Sequence, residues 1–250
     1  MSHIARIFIE QPLRLDHPVV LPEGQSKYLL RVMRLTEGAL VRVFNGQDGE
    51  WACSLSVDRK VAVLTPTKNL RPQENGPELT LLFAPVKKAR TDFIVEKATE
   101  LGVSDIRPIL TDYTQSQRVR TDRMRLLAIE AAEQTERMDL PDIQEALSLP
   151  RALAEWDKTI PLIFCDEGGR SAPLADHANQ LTGKTAGILI GPEGGFSPKE
   201  RDMLHALDFV IPITLGPRIL RAETAVVSAL TLWQSLFGDW QKAPYLPEAE

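Results

Sequence analysis

The chain has 250 residues, 43% of them hydrophobic and 25% charged, with a formal charge of -5 at neutral pH. That size and balance allow a large buried core in one large or two modest domains. The apolar runs are too short to span a bilayer, and Arg6 interrupts the N-terminus before a signal-peptide core could form. A cytoplasmic protein with no membrane partner is expected. Cys53 and Cys165 lie far apart without C-x-x-C spacing and the four histidines are scattered, so reduced thiols and no metal are expected.

The net charge conceals an asymmetry. Residues 1 to 72 carry 10 Lys+Arg against 7 Asp+Glu, whereas residues 73 to 250 carry 19 against 27. A basic N-terminal part fits either a nucleic-acid partner or an ordinary solvated surface.

Residues 4 to 65 alternate short β-rich runs with turn signals, at Ile4 to Ile9, Val19 to Leu21, Leu40 to Phe44, Trp51 to Val57 and Val61 to Leu64. The pattern predicts a small barrel. One helical stretch, Gln25 to Leu35, places Lys27, Arg31 and Arg34 near one face. The Asn45 to Gly49 loop reads as a hairpin that uses glycine-permitted turn geometry. Thr65 to Pro77 holds three prolines and a glycine without apolar periodicity, which reads as a linker. From Glu78 the pattern becomes strands alternating with helices: strands at Leu79 to Ala84 and Ile106 to Leu110, and helices at Thr91 to Leu101 and about Thr121 to Met138. A short helix near Arg151 to Trp156 precedes a strand at Pro161 to Cys165. This is the grammar of a mainly parallel α/β sheet.

Two further strands, Ala186 to Ile190 and Phe209 to Leu215, each lead into a glycine loop. The first loop is GPEGG at Gly191 to Gly195, followed by a capping box in which Ser197 is the N-cap, Pro198 the first helical residue and Glu200 the partner that reaches back. The second is LGPRILRAETA at Leu215 to Ala225, with a helix from Ala222 whose stripe Val226, Leu230, Trp233 and Phe237 belongs to the core. Ligands of parallel sheets bind at the carboxyl ends of strands, where both loops sit. Neither matches a phosphate fingerprint, and Glu193 would put a carboxylate where phosphate charge should go. A neutral or cationic ligand such as S-adenosylmethionine fits better, although GPEGG also reads as a plain structural turn.

GPEGGFSPKE at Gly191 to Glu200 paired with LGPRILRAETA resembles the signature of the RsmE family, ribosomal RNA uridine N3 methyltransferases of the SPOUT superfamily. The likeness extends to Arg6-Ile7-Phe8, YLLRVMRL at Tyr28 to Leu35, Phe44-Asn45-Gly46, VEKATELGV at Val95 to Val103 and AAEQTERMDLPDI at Ala131 to Ile143, which is nearly the whole chain. The resemblance implies a PUA-like β-barrel RNA-binding domain at residues 1-70. It also implies a SPOUT-type α/β domain at 78-242, with a mainly parallel sheet and a trefoil-knotted chain end. A homodimer, S-adenosylmethionine as cofactor and small-subunit ribosomal RNA or the assembled subunit as partner, rather than DNA, are implied as well. Glu136 departs from the small residue common in relatives, so no role is assigned to it. Asp166 to Gly169 occupies the place of a third ligand-contacting loop.

Methyl transfer to uracil N3 requires positioning of the acceptor and removal of its proton or stabilisation of the resulting anion. Arg218, Arg221 and Glu223 are the catalytic candidates, although Glu223 also suits the first turn of the following helix electrostatically. Gly191, Pro192, Glu193, Gly194, Gly195, Leu215, Gly216, Ile219 and Leu220 are the cofactor-binding candidates, acting largely through backbone and apolar walls. Arg6, Arg31 and Arg34 are the RNA-binding candidates on the barrel. A cluster of Arg118, Arg120, Arg123 and Arg125 beside Gln115 and Gln117 reads as a second RNA contact or a solvated helix start. Two rival functions remain open: a superfamily methyltransferase acting on another position or on transfer RNA, and a non-catalytic RNA-binding assembly factor.

Overall fold

The computed structural model describes residues 4-115, 118-168, 171-181, 185-243 and 245; Gln117 and Gly169 lie outside the described residues. The chain divides into two units, one formed by the residues up to Asn75 with Ala132–Leu140, the other by Gly76–Ala131 and the chain from Pro141 onward.

In the first unit, β1 (Ala5–Phe8), β2 (Val19–Val20), β3 (Leu40–Phe44), β4 (Glu50–Asp58) and β5 (Val61–Arg71) form a sheet in the order β1-β3-β4-β5-β2. β1 pairs with β3 in parallel and the remaining pairs are antiparallel. Inward alternation buries Ile7, Val41, Val43, Leu55 and Leu64 in one cluster with Leu29. The Asn45 to Gly49 turn forms as expected: Asn45 Oδ1 accepts from Gln47 N–H at 3.0 Å and Asp48 N–H at 2.8 Å, and Gly46 and Gly49 have φ of 78° and 79°.

Three expectations for this unit are corrected. The linker expected from Thr65 begins later, because β5 continues to Arg71; Pro66 is accommodated opposite Cys53 next to a register shift, the setting in which a strand tolerates proline. The helix expected over Gln25 to Leu35 is α1 (Glu23–Lys27) followed by a π-helical turn (Tyr28–Val32), and Arg34 lies beyond it with φ 56°, off the face that carries Lys27 and Arg31. Arg6 is not a surface cation. It is 6% exposed, with its guanidinium 4.0 Å from the centroid of the Phe44 ring. Its donors are taken by Glu50 at 2.6 Å and by the carbonyls of Ala132 and Arg137 at 2.6 and 2.7 Å. An arginine so occupied cannot contact RNA phosphate.

Glu136 also has a structural place. It adopts φ 62° and its carboxylate joins Arg42, Arg71 and the fully buried Glu50 in one ion cluster. The left-handed residue explains why the helix expected to reach Met138 stops early.

The second unit alternates β6 (Leu79–Phe83), α2 (Lys88–Glu100), β7 (Asp105–Leu110), α3 (Thr121–Gln134), β8 (Asp142–Ile143), β9 (Leu147–Ser148), α4 (Leu149–Ala154), β10 (Leu162–Cys165), β11 (Ala172–Pro173), β12 (Ala186–Ile190), α5 (Pro198–His205), β13 (Val210–Thr214) and α6 (Ala222–Leu236). The strand order is β11-β13-β10-β12-β6-β7-β8, with β9 also on β7, and every pairing is parallel. Both sheet faces are covered, as a parallel sheet requires. Leu81, Phe83, Ile188 and Ile190 pack with residues of α2, α3 and α6, while Leu82, Leu189 and Phe164 face α4 and α5. Val226, Leu230 and Trp233 are buried in the first of these layers, with Phe237 packed against it. No described helix is long and apolar enough to cross a membrane.

Candidate active site

The order β13-β10-β12 brings three strand ends side by side, and the loops that leave them enclose a cavity of about 470 Å³. Cys165, Asp166 and Glu167 come from the end of β10; Ile190, Gly191, Pro192 and Phe196 follow β12; Thr214 to Leu220 follow β13; Ala222 and Ala225 close it from α6. The volume falls within the range of small-molecule sites.

Local chemistry fixes each wall. After β12 the capping box forms as expected, with Ser197 N–H donating to Glu200 Oε2 at 2.9 Å and Glu200 N–H to Ser197 Oγ at 3.3 Å. Ser197 Oγ also donates to Asp112 at 2.6 Å, and Glu200 accepts the Asp112 N–H at 2.9 Å, so two elements hold the start of α5. Phe196 packs edge-on against Phe164 with ring centroids 5.2 Å apart, and a Cβ on Gly191 would lie 2.7 Å from that same Phe196 ring. After β13, Gly216 takes φ 101°, a conformation that requires glycine, and an added Cβ there would meet open space. Ile219 is 84% exposed beside that space.

The third loop is acidic. Asp166 is buried and held by Arg201 at 3.0 Å, His205 Nε2 at 3.1 Å and the Gly168 N–H at 3.2 Å. The neighbouring Glu167 carboxyl is pushed above its ordinary pKa by burial and by the charge of Asp166, against the pull of Arg201. A cationic ligand group at this end of the cavity would relieve that cost.

The structure divides the residues read from the sequence. Gly191, Pro192, Leu215, Gly216, Ile219 and Leu220 line the cavity, and so does Arg218. Glu193, Gly194 and Gly195 do not. Gly194 faces Tyr113, whose Cβ would stand 3.3 Å from an added methyl, and Gly195, at φ 67°, faces Glu167. These two glycines shape the loop beside the cavity. Arg221 is the exposed N-cap of α6. Glu223 is turned from the wall formed by Ala222 and Ala225: its Oε1 lies 3.5 Å from Arg90 Nε, and its Oε2 is buried without a hydrogen-bond partner. Glu223 is not among the residues that line the cavity. Arg90 also donates to Glu193 at 3.0 Å, tying the two glycine loops to the start of α2. Nothing local in the Lys87 to Arg90 stretch marks this arginine out. In the downstream arginine cluster, Arg123 is bidentate to Asp92 and Arg120 to Asp122, the pattern of a solvated, internally paired helix start.

Residues 73–234 match the RNA methyltransferase domain family and residues 21–65 the RNA methyltransferase PUA domain family. A ribosomal RNA small subunit methyltransferase E of Buchnera aphidicola (subsp. Acyrthosiphon pisum) is 30% identical over 253 residues, covering 95% of this chain and 96% of that protein. This chain belongs to the ribosomal RNA small subunit methyltransferase E family. Another member, from Rickettsia conorii, is 29% identical over 227 residues, covering 90% of this chain and 93% of its own. The methyltransferase E of Neisseria gonorrhoeae, solved bound to S-adenosyl methionine, superposes with a TM-score of 0.86 at 27% identity over 95% of this chain and 100% of that one. In methyltransferase E terms, the five-stranded sheet is the PUA-like part and the parallel sheet the α/β part.

Proposed function

We propose that this protein is an S-adenosylmethionine-dependent methyltransferase that modifies N3 of a uridine in small-subunit ribosomal RNA. The observation that carries the reading is the cavity at the joined ends of β10, β12 and β13, formed by the very loops that hold the family signature. Its residues suit the cofactor: Gly216 leaves backbone exposed to open space, Ile190, Ile219 and Leu220 supply apolar walls, and Asp166 with Glu167 offer negative charge to a sulfonium or ammonium group. The bound cofactor supplies an electrophilic methyl group.

The protein's part is to exclude water, orient the uracil and stabilise the charge that appears when N3 loses its proton. Arg218, at the cavity wall, is placed for the last task, with the exposed Arg221 available to RNA phosphate. Glu223 serves through Arg90, as part of the support of both loops. The same reading includes a cytoplasmic homodimer. Leu232 and Leu236, one turn apart on α6, and Trp240 beyond it are 40%, 45% and 49% exposed, apolar area that a second copy of the chain would cover.

Mass spectrometry of nucleosides from small-subunit RNA of a deletion strain, with and without purified protein and S-adenosylmethionine, tests the function. Loss and restoration of 3-methyluridine is expected; a different modified nucleoside would refute the assignment. Sedimentation of Leu236→Glu, expected to shift dimer to monomer, tests the assembly.

A further inference from the structure

The two carboxylates at the end of β10 are not equivalent. Asp166 is spent on the protein: Oδ1 accepts from the Gly168 N–H at 3.2 Å and stands 3.0 Å from Arg201, while Oδ2 lies 3.3 Å from Arg201 and 3.1 Å from His205 Nε2. A carboxylate has about four lone-pair sites, and here each oxygen already has two protein neighbours. Glu167, the next residue, also lines the cavity. It is exposed and forms no hydrogen bond or ion pair among the described residues.

The loop after β12 makes room for this free carboxylate. Glu167 Oε1 reaches into the space that Gly195 leaves, where a Cβ would collide with it. Burial and the charge of Asp166 make a negative group unfavourable at this point, so the carboxylate gains most from a cation that arrives with the ligand.

We propose that Glu167 is the counter-charge for the sulfonium of S-adenosylmethionine, and that through it the site prefers the methyl donor to the demethylated product. The inference rests on the methyltransferase function proposed above. A sulfonium carries charge but no N–H, so it suits a carboxylate that acts by charge alone, whereas an ammonium brings three donors that call for several fixed acceptors. β10 lies between β13 and β12, so its end meets the middle of the cavity, and the sulfonium is the middle of the cofactor, between the nucleoside and the amino-acid arm. The reaction removes that charge. The sulfur–methyl bond breaks with its electron pair left on sulfur, the new bond forms on the pair that uracil N3 keeps when its proton leaves to solvent, and the sulfur ends as a neutral thioether. The attraction to Glu167 ends with it, which favours exchange of product for a fresh donor.

Calorimetric titration of the full chain with S-adenosylmethionine, S-adenosylhomocysteine and sinefungin, which has a protonated amine in place of the methylsulfonium, tests the assignment. Glu167→Gln should weaken the two cationic ligands about fivefold, the size of one partly exposed ion pair, and leave S-adenosylhomocysteine within about twofold of wild type. Retained binding of S-adenosylhomocysteine also shows that the variant is folded. Glu167→Ala should show the same selective loss and decides the matter should the Gln variant fold poorly. An equal loss for all three ligands would overturn the proposal by placing Glu167 on a group that they share, the ribose or the amino-acid ammonium. No loss for any of them would overturn it as well. Wild-type protein that binds none of the three would overturn both this inference and the proposed function, whereas wild-type binding with unaffected variants would overturn the role of Glu167 alone.

Discussion

Arg90 donates to Glu193 at 3.0 Å while its Nε stands 3.5 Å from Glu223, so one guanidinium spans the two glycine loops that frame the cavity. The pairs are only partly exposed, with side-chain accessibilities of 34%, 29% and 17% for Arg90, Glu193 and Glu223. Arg90→Met should therefore weaken S-adenosylmethionine binding about tenfold, the sum of two partly exposed ion pairs or about 1.4 kcal/mol. Calorimetry measures it. Arg90→Lys should recover part of the loss, and equal affinity in wild type and Arg90→Met would show that the loops hold their shape without the bridge.

Glu223→Gln separates support from proton chemistry. With Oε1 near Arg90 and Oε2 buried, the variant should lose part of the loop support yet keep single-turnover methyl transfer within about tenfold of wild type at saturating cofactor, below the range of a lost general base. Arg218→Met should lower the same rate about 10²-fold, as the loss of a charge-stabilising group does. A rate drop of about 10³-fold in Glu223→Gln would return that carboxylate to the chemical step.

The two glycines outside the cavity should differ. Gly195→Ala forces a side chain into φ 67° with its Cβ against Glu167 Oε1, and should cost about 1 to 2 kcal/mol as well as cofactor affinity. At Gly194 the nearest neighbour is the Cβ of Tyr113 at 3.3 Å, a contact that asks for a shift of only a few tenths of an ångström, and φ is not left-handed. Gly194→Ala should leave both properties near wild type. Thermal melts and cofactor titrations of the pair provide the comparison.

Acid should unfold the barrel unit through Glu50. Burial alone would raise this carboxyl, but hydrogen bonds from Arg42 and Arg6 and the charge of Arg71 outweigh it and hold the pKa below the ordinary value. The folded pKa lies below the unfolded one, so the stabilisation is complete above about pH 4.3 and is lost as pH falls through the folded value. Glu50→Gln should cost about 3 kcal/mol at neutral pH, as breaking a buried pair does, and flatten the acid limb of a stability-against-pH curve. An unchanged acid limb would remove Glu50 as its source.

Much of the molecule is legible from sequence because it is local. The capping box of Ser197 and Glu200, the Asn45 turn and the Val226 to Trp233 stripe are encoded within a few residues of themselves. Arg6 reads as a surface cation because its partners lie 44 and 126 residues away, at Glu50 and Ala132, and no spacing rule reaches that far. Pro66 suggests a linker because the register shift opposite it, which makes a strand proline tolerable, belongs to another strand. Glu223 falls on the first turn of α6 in sequence and structure alike, but its neighbour Arg90 lies on another helix, which the sequence does not distinguish.

The inclusion of Ala132–Leu140 in the first unit constrains the order of events during synthesis. As the polypeptide leaves the ribosome, β1 to β5 emerge well before Glu136 and the carbonyls of Ala132 and Arg137 that occupy Arg6 and Arg42. Until then these guanidinium groups would be buried short of partners, a costly condition. The face of the barrel that carries Arg6 and Arg42 is therefore expected to stay open to water until a stretch made some sixty residues after β5 ends at Arg71 is available. A chain ending before Ala132 is expected to pair the sheet and gather its apolar cluster, which draws only on residues up to Leu64, yet to leave Arg6 and Arg42 facing water.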